Sequence, residues 1–449
     1  MQMEKTAAAP TALAPTAEQD QQLIGKVSGR LIWFLFILFV FSFLDRINIG
    51  FAGLTMAHDL QLSATMFGLA TTIFYIAYVA CGIPSNMMLS RIGARRWIAI
   101  IMVAWGLAST ATMFAHDANS LYLLRALVGV TEAGFLPGML LYLTFWFPRA
   151  YRARANALFM IAMPVTAAAG SVASGYLLEL NGLWGLAGWQ WLFMVEGLPA
   201  ALLGIAVWYY LDDSPAQAGW LSSTEKQRLQ QLLLQEQLEQ QAAPQAAANV
   251  GREAGIWREL LSPSVLKFAL AYFCLVNTLS MVNIWVPQIV KSFNSGSSNA
   301  TIGMLAAIPQ LATIIAMLWW GARSDRKQER RWHTVLPMLA AAAGWLLCAY
   351  ADGAALRLAG IVVASAGAFT AMTIFWTTPD AVLSTRAKAI GIALINATGN
   401  VGSALSSVVV GWLKDISHSF TSGMLFAVAV LVIGALVMLA IPAGKPAQQ

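Results

Sequence analysis

Charge is what this chain has least of: 11% of its 449 residues are Asp, Glu, Lys or Arg, against about 25% in an average soluble domain. So little charge cannot clothe a water-exposed globule of this size, and a soluble enzyme or scaffold is excluded. Cysteine is scarce as well. Cys81, Cys274 and Cys348 are odd in number and each falls in an apolar stretch, so no disulfide framework is implied. The four histidines, His58, His116, His333 and His418, sit at segment ends or in loops without the H-E-x-x-H spacing, and no metal centre is expected. No G-x-x-x-x-G-K-[ST] phosphate loop is present, which argues against ATP as an energy source. No G-x-S-x-G elbow is present, which argues against an intramembrane hydrolase. The chain therefore reads as a non-enzyme without a cofactor. Its first 29 residues lack the basic start, short apolar core and cleavage site of a secretory signal, and read as an uncleaved tail.

What the chain has in abundance is hydrophobic residues, 58% of the total. They fall into segments of the roughly 20 residues that an α-helix needs to cross hydrocarbon. Six such segments run over 30–54, 66–89, 97–115, 120–146, 155–180 and 191–211, and six more over 266–290, 300–321, 334–351, 355–378, 388–411 and 420–441. The reading is an all-α membrane protein: a tail (1–29), a six-helix bundle (30–211), a central loop (212–264), a second six-helix bundle (265–441) and a short tail (442–449). Lys291, Arg357 and Lys414 fall on one side, Arg46 and Arg125 lie within spans, and the remainder of the 27 basic residues fall on the other side. That side is cytoplasmic by the positive-inside rule, and both termini lie there. The same placement explains the net charge of +6 without nucleic acid.

The two halves echo each other. SRIGARRW follows the second span and SDRKQERRW the eighth, so that Arg91, Arg95 and Arg96 match Arg326, Arg330 and Arg331 at a constant spacing of 235. After the fourth and tenth spans, Arg152 and Arg154 match Arg386 and Lys388 at a spacing of 234. A parallel six-plus-six repeat with a long central loop is the organisation of major facilitator transporters, whose substrate site lies between the halves near mid-membrane. The loop residues Arg91, Arg95, Arg96, Asp325, Arg326, Arg330 and Arg331 read most simply as the orientation signal, with a gate as the sharper alternative.

A charge at the centre of a spanning helix costs at least about 2.5–3.5 kcal/mol, so it normally meets a cavity or a partner. Asp45 and Arg46 lie in the first span, and Arg125 and Glu132 in the fourth. At 1.5 Å per residue, Asp45 lies roughly 13 Å and Arg125 roughly 8 Å below the outer ends of their helices, within reach of each other. Glu132 is on the same face as Arg125, about 10 Å deeper. Adjacent residues diverge by about 100°, so Arg46 is expected to point elsewhere. The functional reading makes Asp45 and Glu132 protonatable carboxylates and Arg46 the contact for an anion. The alternative is a static cluster that cancels its own charge. Glu196 and Asp380 read as carboxylates near span ends, able to reach water. Tyr75, Tyr78, Asn277, Asn283, Trp376, Asn396 and Asn400 are candidate cavity residues. For the amides, interhelical glue is an equal reading, and for the aromatic residues packing is the alternative.

FLDRINIGFAGL, RALVGVTEAGFLPG, GWQWLFMVEGLPA and INATGNVGSAL resemble the anion:cation symporter branch of the major facilitator superfamily. Its loop motif stands as GARSDRKQERR in the second half, while Asn86 and Ser90 replace its Gly and Asp in the first. SFLDRINIGFAGLTM, GSSNATIGMLAA and IFWTTPDAVLSTRAKAIGIALINATGN narrow the resemblance to the bacterial 4-hydroxyphenylacetate permeases within that branch. The resemblance implies proton-coupled uptake of a small organic anion, an aromatic carboxylate such as 4-hydroxyphenylacetate, by a monomer in the bacterial inner membrane. The coupling ion is then the proton. Asp45 and Glu132 match the branch's protonation sites, and Arg46 and Arg125 its residues for substrate binding and charge pairing. The fifth span lacks G-P-x-x-G-G, which favours symport over antiport. A sugar acid or dicarboxylate is the alternative cargo. A transporter-like sensor would need a longer, folded, charge-patterned domain than 212–264 offers.

Overall fold

The computed structural model describes residues 17–242, 262–379 and 385–441. Asp380 and the side chains of Arg154, Arg386 and Lys388 lie outside the described residues, as do most of both tails and part of the central loop. The described residues are helical without strands, and twelve of the segments are long and apolar enough to span a membrane. In the first half the helices are α1 (Ala17–Ala52), the single turn α2 (Met56–Asp59), α3 (Ala64–Ile92), α4 (Ala94–Ala111), α5 (Ala118–Glu132), α6 (Phe135–Trp146), α7 (Arg149–Leu178) and α8 (Gly188–Tyr210). After the loop helix α9 (Ser223–Ala242) the second half has α10 (Pro263–Phe293), α11 (Asn299–Lys327), α12 (Arg331–Tyr350), α13 (Ala354–Phe375), α14 (Thr385–Ser417) and α15 (Thr421–Leu439).

Two boundaries differ from the sequence reading. The first helix, Ala17–Ala52, takes in residues 17–29, which the sequence reading assigned to the tail. Leu23, Ile24 and Val27 are buried in one cluster with Leu221 and Leu229 of the loop segment, so this pre-membrane turn has an apolar face to cover. Ion pairs fasten the same contact: Lys26 to Glu225 at 2.8 Å and Arg228 to Asp20 at 2.7 Å. The fourth span is not one helix. It breaks after Glu132, and Gly134 takes φ +87° before α6 begins. Only glycine fits there: besides the left-handed backbone, a Cβ would stand 2.7 Å from the Ser85 Cβ.

The halves meet along three helix pairs: α3 with α14, α7 with α11, and α1 with α10. Twelve spans in succession put the start of α1, the end of α15 and α9 on one side, here the terminal side. The hydrogen bonds between helix ends of the two halves lie on the opposite, far side. There Asp415, near the end of α14, accepts from the Ala64 and Thr65 backbone N–H groups at 2.9 and 2.8 Å and from the Thr65 hydroxyl at 2.5 Å. Glu179, at the end of α7, accepts from the Ala300 N–H at 3.1 Å. Each carboxylate thus caps the first turn of a helix in the other half, where unpaired N–H groups and the helix dipole favour negative charge.

Glycines repeat with the caps. Gly411 and Gly175 stand four residues before Asp415 and Glu179, while Gly68 and Gly303 lie on the capped helices. At all four positions an added Cβ would strike backbone of the facing helix. The two interfaces are therefore copies of one motif, produced by the internal repeat. Between them α1, α7, α10 and α11 leave a void of about 10 Å³, lined by Ile47, Ser171, Asn283 and Gln310 among others. On the far side the two halves are thus in direct contact through helix ends and backbone.

Removing both caps tests how much they hold. A hydrogen bond to a charged group contributes about 1.5–3 kcal/mol, so Glu179→Ala with Asp415→Ala should shift the opening equilibrium at least about tenfold. Labelling of a cysteine introduced as Asn283→Cys, in a background without Cys81, Cys274 and Cys348, reads this from the far side. An unchanged labelling rate would show that helix packing alone makes the seal.

Candidate functional site

The intramembrane charges of the first half lie together and are almost entirely buried. Relative exposure is 2% for Asp45, 1% for Arg125 and 0% for Glu132. Arg46 alone keeps partial access, its side chain 22% exposed. Its Nε–H donates to Glu132 Oε1 at 2.7 Å, and the Ser42 hydroxyl donates to the same oxygen at 3.3 Å. Asp45 faces away, toward α4. It accepts from Trp105 Nε1–H at 3.0 Å, from Asn48 Nδ2–H at 3.1 Å and from the Ser109 hydroxyl.

The pairing expected from helix depth is corrected here. Asp45 forms no ion pair with Arg125 among the described residues, because three neutral donors already satisfy it. Arg46 does not stand apart from the carboxylates either: the 100° step from Asp45 turns it to the end of α5, where Glu132 waits. Arg125 keeps Nε and Nη1 without hydrogen-bond partners. Its guanidinium lies 4.7 Å from the Phe74 ring centre, and that of Arg46 lies 4.7 Å from the Tyr78 ring centre. Helix α3 thus offers each cation an aromatic face, worth about 0.5–2 kcal/mol apiece.

The second half brings mainly aromatic surface. Tyr272 of α10 is buried, lies within electrostatic reach of Arg46, and packs edge-on to Trp376 at 4.8 Å and stacked on Phe375 at 5.1 Å. Gly399 of α14 leaves room for the Tyr272 ring. Trp376 and Tyr75 are each half-buried, and Tyr75 reaches toward Ser403 of α14. The sequence reading named Tyr75, Tyr78 and Trp376 but missed Tyr272, whose only signal was a lone tyrosine in an apolar span.

The amides separate. Asn277 is fully buried and donates to the Gly402 carbonyl at 3.3 Å, which fastens α10 to α14, while its Oδ1 has no partner. Asn283 borders the far-side void, its Oδ1 without a partner. Asn396 is exposed, and Asn400 donates to the Asn396 carbonyl of its own helix at 3.0 Å. Glu196 is also corrected. It is 3% exposed, not at a wet span end, because it lies two turns inside α8 against α7, where the Ser174 hydroxyl donates to it at 2.9 Å.

Two of the loop arginines form ion pairs. Arg95 pairs with Asp213 at 3.5 Å, and Arg330 with Asp325 at 2.7 Å. Arg91, Arg96 and Arg326 are exposed, and Arg331 is half-buried. Glu329, in the same loop, is held below the ordinary carboxylate range: burial opposes its charge, but N–H groups of Trp332 and His333 and the His333 ring outweigh that.

Two bundles joined by a long connection, with charges and aromatic residues gathered where they meet, make the architecture of a secondary transporter. Residues 35–407 match the model of the Major Facilitator Superfamily, and the chain belongs to that family. It is 40% identical over 431 residues to a protein of Agrobacterium vitis named "Putative tartrate transporter", covering 96% of this chain and 94% of the relative. It is 34% identical over 442 residues to the "Putative metabolite transport protein NicT" of Pseudomonas putida, covering 97% and 99%. Among solved structures, a bacterial homologue of the human lysosomal transporter Spinster, inward-facing and unoccupied, superposes with a TM-score of 0.75 at 16% identity, covering 93% of this chain and 97% of that one. The fold is therefore shared well beyond sequence similarity.

Removing Arg46 tests the buried pair. Breaking such a pair from one side costs about 3–5 kcal/mol, because the remaining charge is left uncompensated. Arg46→Ala should lower the melting temperature of the detergent-solubilised protein, and adding Glu132→Gln should recover most of the loss. Equal melting of the single and double variants would show that the pair carries no such coupling.

Proposed function

We propose that this transporter carries out proton-coupled symport of a small organic anion, by alternating access between the two halves. The observation that carries the reading is the Arg46–Glu132 bond, 2.7 Å long on a partly open edge of the buried cluster. An incoming carboxylate competes with Glu132 for Arg46. Losing Arg46 leaves Glu132 as an unpaired buried anion, and taking up a proton removes that cost. Cargo binding and protonation of Glu132 therefore favour each other. Asp45 is the second proton site in this reading, and Arg125, with two unpaired nitrogens, is the second cation for the cargo. The terminal side is the cytoplasmic side of a bacterial inner membrane, as the basic loops imply.

Tyr75, Tyr78, Tyr272 and Trp376 favour an aromatic acid with a hydroxyl group, such as 4-hydroxyphenylacetate, as the cargo. A hydroxylated dicarboxylate is the second reading. Its support is the relative named for tartrate, together with the two guanidinium groups.

Uptake into proteoliposomes with an imposed pH gradient tests both readings. The expected result is accumulation of 4-hydroxyphenylacetate, abolished by Asp45→Asn and by Glu132→Gln. Arg46→Ala should weaken cargo binding about tenfold or more, as loss of a charge-assisted hydrogen bond does. Accumulation of tartrate without 4-hydroxyphenylacetate would select the second reading. Uptake of either that ignores the pH gradient would reject proton coupling.

A further inference from the structure

Gln310 of α11 is a buried amide that the symport reading leaves without a task. It is 4% exposed, its Oε1 has no hydrogen-bond partner, and it borders the void of about 10 Å³ between the halves. Room of that size takes about one water-sized group. Asn283, whose Oδ1 is also without a partner, borders the same void from α10. Ser171, which borders it from α7, has already given its hydroxyl hydrogen to the Ala167 carbonyl at 2.6 Å. The other lining residues are apolar, Ile47, Val282 and Ala306 among them.

The internal repeat gives this position a meaning. Gly68 on α3 and Gly303 on α11 are repeat partners at the spacing of 235, and they lie against the backbone of Ser407 and Ser171. Seven residues further on, two turns along the same helix face, stand Tyr75 in the first copy and Gln310 in the second. Tyr75 reaches toward Ser403, four residues before Ser407. Gln310 shares its void with Ala167, four residues before Ser171. Two copies of one contact therefore differ in chemistry: Tyr75 faces a hydroxyl, whereas Gln310 faces a methyl group that has no polar hydrogen to offer. Tyr75 is a wall of the cargo site, within electrostatic reach of Arg46, and the repeat puts Gln310 at the corresponding place in the other half.

Depth agrees with the repeat. Gly50, four residues beyond Arg46 on α1, lies against the Asn283 and Ile284 backbone. The level of the void is thus about 6 Å beyond that of Arg46 toward the far side, four residues at 1.5 Å each. A small acid whose carboxylate is held by Arg46 has its other end at this level. An amide oxygen without a donor discriminates among such ends. A second carboxylate brings no hydrogen, an apolar end leaves the oxygen unsatisfied, and an O–H group satisfies it.

We propose that Gln310 is a specificity-determining residue of the second half: its Oε1 accepts the hydrogen of a cargo hydroxyl while Arg46 of the first half holds the cargo carboxylate. A phenol and a hydroxylated dicarboxylate both carry the required group. The separation from Arg46 favours the phenol, whose hydroxyl stands at the opposite end of the molecule from its carboxylate.

The inference rests on the reading of a carboxylate anchored by Arg46. Calorimetric titration of the full-length, detergent-solubilised protein tests it without a pH gradient, and so apart from proton coupling. The acids form two pairs that differ in hydroxyl groups: 4-hydroxyphenylacetate with phenylacetate, and tartrate with succinate. The wild type should bind 4-hydroxyphenylacetate at least about fivefold more tightly than phenylacetate, the effect of one hydrogen bond. Gln310→Met, of similar size, should bring the two affinities to within about twofold of each other. Gln310→Asn draws the oxygen back by one methylene and should give an intermediate ratio. Thr313→Val removes a buried hydroxyl one turn away, which donates to the Pro309 carbonyl at 2.8 Å, and should keep the wild-type ratio. A merely structural role for Gln310 would weaken all four acids together. The same collapse in the tartrate pair alone would support the proposal with the dicarboxylate as the source of the hydroxyl. The proposal is overturned if Gln310→Met keeps the wild-type ratio, or if the wild type binds the members of each pair equally, which leaves the carboxylate reading standing. If none of the four acids binds, both fall.

Discussion

A charge in hydrocarbon must be met by an opposite charge or by enough hydrogen-bond donors, and the first half of this molecule is organised around that demand. Glu132 is met by Arg46, and Asp45 by a tryptophan, an asparagine and a serine. The guanidinium groups lie on aromatic rings that α3 presents at successive turns. Other features follow from this one. Helix α5 ends at Glu132, Gly134 makes the turn that lets α6 continue the crossing, and Trp105 spends its one N–H on Asp45 while its ring packs on Phe135, 5.6 Å away.

The helices and the repeat were legible in the sequence because hydropathy and internal similarity are one-dimensional signals. Twelve apolar segments appear as twelve spans, and the spacing of 235 between loop arginines reappears, to within one residue, in the glycine pairs Gly68/Gly303 and Gly175/Gly411. Asp45, Arg46, Arg125 and Glu132 were legible because ionisable residues within spans are rare and seldom idle. Who pairs with whom was not. Depth follows from rise per residue, but the facing angle between helices follows from packing, and for that reason Asp45 meets three neutral donors in place of Arg125 and Arg46 meets Glu132. Glu196 was misplaced on the same ground: eight residues into α8 is distance enough from the helix end for neighbours to cover it. The break at Gly134 had a signal in EAGFLPG, where two glycines flank a proline. Asn277 shows the reverse case, a polar residue whose work is between helices.

The two halves share a backbone plan but divide the chemistry. The charges sit in the first half, held by its own donors and rings. The second half contributes Tyr272, Trp376 and the α14 segment around Ser403, which form surface more than charge. Rearranging the interface can therefore change what covers Arg46 without removing the donors that hold Asp45, since those belong to α1 and α4.

The repeated cap-and-glycine motif has a mechanical consequence. One fastening point between two rigid bodies permits rotation about any axis through it. Two points, on either side of the α1–α10 contact, define a line, and the remaining free rotation is about that line. Motion that keeps the far side shut is thereby reduced from three rotational freedoms to one, a tilt that separates the bundles at the end carrying the termini. Twisting one bundle against the other would have to pull a carboxylate from a helix end first. The internal duplication of the sequence thus supplies the molecule with an axle as well as a second bundle.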